Sequence, residues 1–114
     1  MTTIRTFAAC LALLCSAAAV PAQTVLERVA GGGKLVVAHR ESSVPFSYMV
    51  DGKPVGYAVD LCLRIADAVR KKPGMKDMPV EFLMVTPANR ITMVEEGKAD
   101  LECGSTTNNA ERRQ

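Results

Sequence analysis

Lys34-Leu35-Val36-Val37-Ala38 carries four apolar residues in unbroken succession. An uninterrupted run of this kind fits a strand buried on both faces of a parallel sheet, because alternation is lost when neither face meets water. Two further stretches read as strands, residues 79–85 (Pro-Val-Glu-Phe-Leu-Met-Val) and residues 99–103 (Ala-Asp-Leu-Glu-Cys). A helix is expected between the first two, over 59–71. Its apolar stripe is Ala58, Cys62, Ile65, Ala66 and Val69, at helical spacing. Arg70, Lys71 and Lys72 suit its negative end, and Pro73-Gly74 stops it. Thr86-Pro87-Ala88-Asn89-Arg90 opens a second helix, with Thr86 as cap and Pro87 in the first turn; Ile91, Met93 and Val94 form its apolar side. The order is β-α-β-α-β, which predicts an α/β fold with a parallel core and helices on its faces.

Upstream, residues 25–30 read as a short helix stopped by Gly31-Gly32-Gly33. The triplet is not a phosphate loop, because such a loop follows a strand and opens a helix. Residues 44–48 form a loop, and Asp51-Gly52 suits the tight turn of a small hairpin.

In a parallel sheet the carboxyl ends of the strands share one edge, and ligands bind there. That edge would collect His39-Arg40, the stretch from Thr86 to Arg90, and the stretch Asp100-Leu-Glu-Cys-Gly-Ser-Thr-Thr-Asn-Asn-Ala-Glu-Arg112. The last is a strand ending at Gly104, a bend rich in short polar side chains, and a helix start near Ala110 with Asn108 and Glu111 as a capping box. Free N–H groups at such a start, together with Arg112, suit a carboxylate or phosphate. Three arginines, Arg40, Arg90 and Arg112, thus stand just past successive strands. Catalytic readings fare worse. His39 is the one histidine, which excludes a histidine-based metal cluster within this chain, and no serine has partners arranged as a triad.

The chain has 114 residues and a formal charge of +2, room for one domain. Residues 1–22 read as a signal peptide: Arg5, an uncharged apolar run over 7–20, and Val20-Pro21-Ala22 before the cut. That run is shorter than the roughly 20 residues that span a bilayer. Its removal leaves residues 23–114 with a charge near +1, a balance that gives no support for nucleic-acid binding. Cys62 and Cys103 remain. In an oxidising compartment they can pair, and two separate buried thiols are an equal alternative.

The stretches His39-Arg-Glu-Ser-Ser-Val-Pro-Phe-Ser-Tyr48, Asn89-Arg90-Ile91 and Glu102-Cys-Gly-Ser-Thr-Thr-Asn-Asn109 with Glu111-Arg112 resemble the periplasmic solute-binding proteins of family 3. The similarity is greatest to the branch that binds glutamate and aspartate. The resemblance implies a type II periplasmic-binding-protein fold, three-layer α/β/α, of which residues 23–114 would be the N-terminal part of lobe 1. A second lobe would follow residue 114. It implies a protein that closes on L-glutamate or L-aspartate and hands it to the membrane permease of an ABC transporter, with no cofactor and no turnover. By resemblance, Ser105, Thr107 and Arg112 hold the ligand's α-carboxylate and amino group, while Arg40 and Arg90 face its side-chain carboxylate. Pro87 stands where a close relative has a serine near the ligand, which removes one side-chain hydrogen bond. Two alternatives share the fold: a periplasmic cyclohexadienyl dehydratase, and the sensing domain of a receptor.

Overall fold

The computed structural model describes residues 22–114, so the expected signal peptide falls, except for Ala22, outside the described residues. The first helix, α1 (Val25–Ala30), opens on Thr24, whose hydroxyl accepts from the Glu27 N–H while the Glu27 carboxylate accepts from the Thr24 N–H. These Thr24 bonds, backbone first, hold the exposed Glu27 carboxyl below its ordinary range. The glycine triplet stops this helix, with Gly31 N–H donating to Glu27 O at 3.0 Å.

Strand β1 (Leu35–His39) is central in the main sheet, flanked by β5 (Val80–Met84) and β6 (Leu101–Cys103), both parallel to it. Val37 and Ala38 are fully buried and point to opposite faces. On one face Leu35 and Val37 pack with Val29 of α1 and with Cys62 and Ala66 of α2 (Tyr57–Arg70). On the other, Ala38 joins Val85, Ala99 and Met93 of α3 (Arg90–Glu95). Helices therefore cover both faces, the three-layer arrangement expected. The chain moves from β1 to β5 through α2, then back across β1 to β6 through α3. Right-handed crossovers in opposite directions put the two helices on opposite faces.

A small antiparallel sheet, β2 (Ser42–Ser43), β3 (Ser47–Val50) and β4 (Lys53–Val55), stands between β1 and α2 in the chain. Its hairpin turns at Asp51 (φ 49°) and Gly52 (φ 74°), the two-residue turn that matches strand twist. The preceding loop serves α2: Pro45 O and Phe46 O accept from the N–H groups of Tyr57 and Ala58 at 3.0 and 2.9 Å. Gly56 makes this approach possible, since a Cβ there would lie 2.5 Å from Phe46 O. With those bonds α2 begins at Tyr57, earlier than expected, and its buried face turns toward Val59. Ile65 is left at the margin, 47% exposed.

Helix α3 begins at Arg90, later than Thr86 and Pro87 suggest. Residues 86–89 form instead a closed turn in which Asn89 Oδ1 accepts from Thr86 N–H at 2.8 Å and Thr86 Oγ1 from Asn89 N–H at 3.3 Å. Met93 alone of the expected apolar side packs inward, while Ile91 and Val94 are exposed.

Strand β6 is held at both ends. Before it, Asp100 Oδ2 accepts from Val36 N–H at 2.8 Å and Oδ1 from Arg28 Nη2 at 2.6 Å. At its end Cys103 is bonded to Cys62 of α2, joining residues 41 apart in sequence with Cα atoms 6.3 Å apart. The open question of the cysteines is settled in favour of pairing. Closing a loop of that length removes unfolded-state entropy worth about 3–4 kcal/mol. Reduction with dithiothreitol is expected to lower unfolding free energy by about 2–4 kcal/mol, read from the shift in urea midpoint. A Cys62→Ala/Cys103→Ala chain should be insensitive to the reductant.

Candidate functional site: the carboxyl edge of the parallel sheet

Each main strand delivers its polar residues to this edge just past its last ladder bond. At the last position of β1, His39 is buried, edge-on to Phe82 with ring centroids 6.0 Å apart. Arg40 follows, partly buried, its N–H donating at 2.8 Å to Ser47 Oγ. Ser47 is fully buried, so β3 braces the backbone that carries the Arg40 side chain. Beyond β5, the 86–89 turn leads to Arg90 at the head of α3. Arg90 is partly buried, and its Nε is buried without a hydrogen-bond partner.

Beyond β6, Ser105 Oγ accepts from Ser43 Oγ at 2.9 Å, tying the small sheet to the end of the main one. Arg112 Nη1 donates to Thr107 O at 3.1 Å. The expected helix after Asn108 is a single 3-10 turn, Glu111–Arg113. Asn109, one residue later than expected, supplies the acceptor: its Oδ1 takes Arg112 N–H at 2.9 Å, while Asn108 Oδ1 takes Arg113 Nε at 2.8 Å. Between this turn and α3 lies a hollow of about 460 Å³ whose lining includes Ile91, Thr106 and Arg112.

The structure thus brings Thr107 to Arg112 and Ser105 to Ser43. Among the described residues no hydrogen bond joins Arg40 or Arg90 to Ser105, Thr107 or Arg112. Arg40, Arg90 and Arg112 each follow one of the three parallel strands, and of these Arg112 lines the hollow together with Glu95 and Glu111. The sequence gives Ser43, Ser47 and Thr106 no assigned role, because their partners Ser105, Arg40 and Glu102 are distant in the chain or four residues away. Among the described residues no group of three or more His, Cys, Asp or Glu could hold a metal ion, and no helix is long and apolar enough to cross a membrane.

Residues 35–114 match the profile of the bacterial extracellular solute-binding proteins, family 3. The chain belongs to that family. It is 48% identical over 96 residues to a glutamate/aspartate import solute-binding protein of Escherichia coli, covering 83% of this chain and 32% of the relative. The family-3 chain here thus spans about a third of the length of that relative. Among solved structures, it resembles an ancestral cyclohexadienyl dehydratase at TM-score 0.66 and 26% identity, covering 81% of this chain and 36% of that one. It also resembles an arginine-bound form of domain 1 from TmArgBP at TM-score 0.65 and 22% identity, covering 77% of this chain and 64% of that one. These neighbours share a type II periplasmic-binding-protein fold, of which this family-3 chain forms part of one lobe.

Removing the brace under Arg40 has a calculable cost. Ser47→Ala leaves the Arg40 N–H without its acceptor in a buried setting, a loss of about 1–3 kcal/mol. Urea unfolding should show the midpoint fall with the slope unchanged.

Proposed function

We propose that the chain is the N-terminal part of the ligand-binding lobe of a periplasmic protein that takes up L-glutamate or L-aspartate and delivers it to the membrane permease of an ABC importer. The observation that carries the reading is the collection of Arg40, Arg90, Ser105, Thr107 and Arg112 at one sheet edge of a family-3 chain, together with 48% identity to a glutamate/aspartate import protein. In this reading Ser105, Thr107 and Arg112 hold the α-carboxylate and amino group that all amino acids share. Arg40 and Arg90 take the side-chain carboxylate.

The energetics favour an acidic ligand. Each carboxylate must lose water on entry, and hydrogen bonds to charged groups return roughly 1.5–3 kcal/mol apiece, so several converging donors are needed. Two arginines facing a neutral side chain would stay unpaired and close together. Sites built to bond a missing partner reject the wrong ligand by about 10⁴-fold, so selection works partly through what the site does not tolerate. A second lobe closing over this edge would complete the burial.

A dehydratase reading draws on the structural likeness to an ancestral cyclohexadienyl dehydratase. The one imidazole, His39, is buried with only 4% exposure and sits against Phe82, a poor placement for a base that must reach substrate. Prephenate turnover separates the two readings.

Calorimetry of the chain against the twenty amino acids is expected to show glutamate or aspartate preferred over glutamine and asparagine. Arg40→Met and Arg90→Met should weaken the acidic ligands far more than the amides. No preference for acids, or equal losses for acids and amides, would sink the assignment.

A further inference from the structure

Glu102 takes no part in the binding scheme above, yet it stands among the groups that scheme uses. It lies in register with Ala38, so its side chain points to the α3 face of the sheet, as do side chains two residues away on either strand. Thr106 Oγ1 donates to Glu102 Oε2 at 2.7 Å. The other oxygen, Oε1, is buried without a hydrogen-bond partner. Among the described residues, the one other buried side-chain nitrogen or oxygen in that condition is Arg90 Nε, of opposite charge and at the head of the helix packed on the same face. Gly104 makes room for the carboxylate: a Cβ there would lie 2.5 Å from Glu102 Oε1 and 3.0 Å from Arg40 Cγ. Acid and arginine stem therefore flank the same missing side chain. A buried, half-satisfied carboxylate is costly; among the described residues no ion pair joins it to an arginine, and the Arg40 stem stands on the other side of Gly104.

We propose that Glu102 sets the charge selectivity of the site, its carboxylate offsetting one of the two positive charges of Arg40 and Arg90. One net positive charge then remains for the ligand, which matches a side chain carrying a single negative charge. A side chain with two negative charges meets repulsion from Glu102 that the second arginine no longer cancels. The inference rests on the acidic-amino-acid reading of Arg40 and Arg90.

The test compares L-aspartate with O-phospho-L-serine, whose phosphate carries close to two negative charges, about −2, at pH 8. Dissociation constants are measured by calorimetry for the wild-type chain and for Glu102→Gln, Glu102→Asp and Glu102→Met. Gln keeps an acceptor for Thr106 while removing the charge, and should move the aspartate-to-phosphoserine affinity ratio toward phosphoserine by about tenfold. Met, also neutral and of similar length, should move it the same way, and Asp should keep the wild-type ratio. Aspartate binding by the wild type reports on the acidic reading, and the change in ratio reports on Glu102. An equal change for both ligands would mark Glu102 as a packing residue and overturn the proposal. So would an unchanged ratio in Gln and Met, or a shifted ratio in Asp.

Discussion

Everything at the binding edge depends on where one three-residue strand is held. β6 is too short to fix its own position by ladder hydrogen bonds, and it lies at the margin of the sheet beside β1. Two non-ladder interactions compensate. The Asp100 carboxylate bridges Val36 N–H and Arg28, joining β6 to β1 and α1. The Cys62–Cys103 bond joins its other end to α2. The polar bend that begins at Gly104 therefore leaves from a fixed point. A donor displaced by even an ångström loses much of its value to a ligand, because hydrogen bonds are steep in distance and angle.

The edge divides into two chemical halves. Residues after β6 carry hydroxyls and Arg112, suited to groups common to every amino acid. Residues after β1 and β5 carry Arg40 and Arg90, suited to what distinguishes one ligand from another. Gly104 stands where the halves meet, since a side chain there would meet the Glu102 carboxylate and the Arg40 stem at once. In the proposed reading one strand thereby supplies the general grip and also borders the selective part. A family-3 lobe can retain the first while the second is retuned, which fits a fold shared by import proteins and an ancestral dehydratase.

The parallel core was legible because buried strands lose alternation: the run through Val36 and Val37 reads as apolar on both sides, and both sides are covered. The hairpin was legible because Asp51-Gly52 is a turn of few alternatives. Local competition decided the rest. Asn89 and Thr86 bond one another, so the residues that look like a helix opening form a closed turn. Pro45 and Phe46 carbonyls take the first N–H groups of α2 and set its start, a tertiary effect that no spacing within the helix announces. Pairing of Cys62 with Cys103 was open in the sequence, since two core-facing cysteines serve equally as separate thiols. The arginines at the strand ends were singled out by their common position just past successive strands. Glu102 was not, because an acid inside a strand that otherwise reads as core gives no sign of its half-satisfied carboxylate beside Gly104 until register and the bare glycine show it.

The central claim is that ligand recognition in this chain is concentrated at the carboxyl edge of the sheet. Backbone amide chemical-shift mapping during an L-glutamate titration tests it most directly. Saturable shifts are expected to centre on Arg40, Arg90 and the stretch from Gly104 to Arg112, with little change at Val29, Met75 or Met78 on the opposite edge. Saturable shifts centred on that opposite edge, or none at ligand concentrations that saturate calorimetric binding, would contradict it.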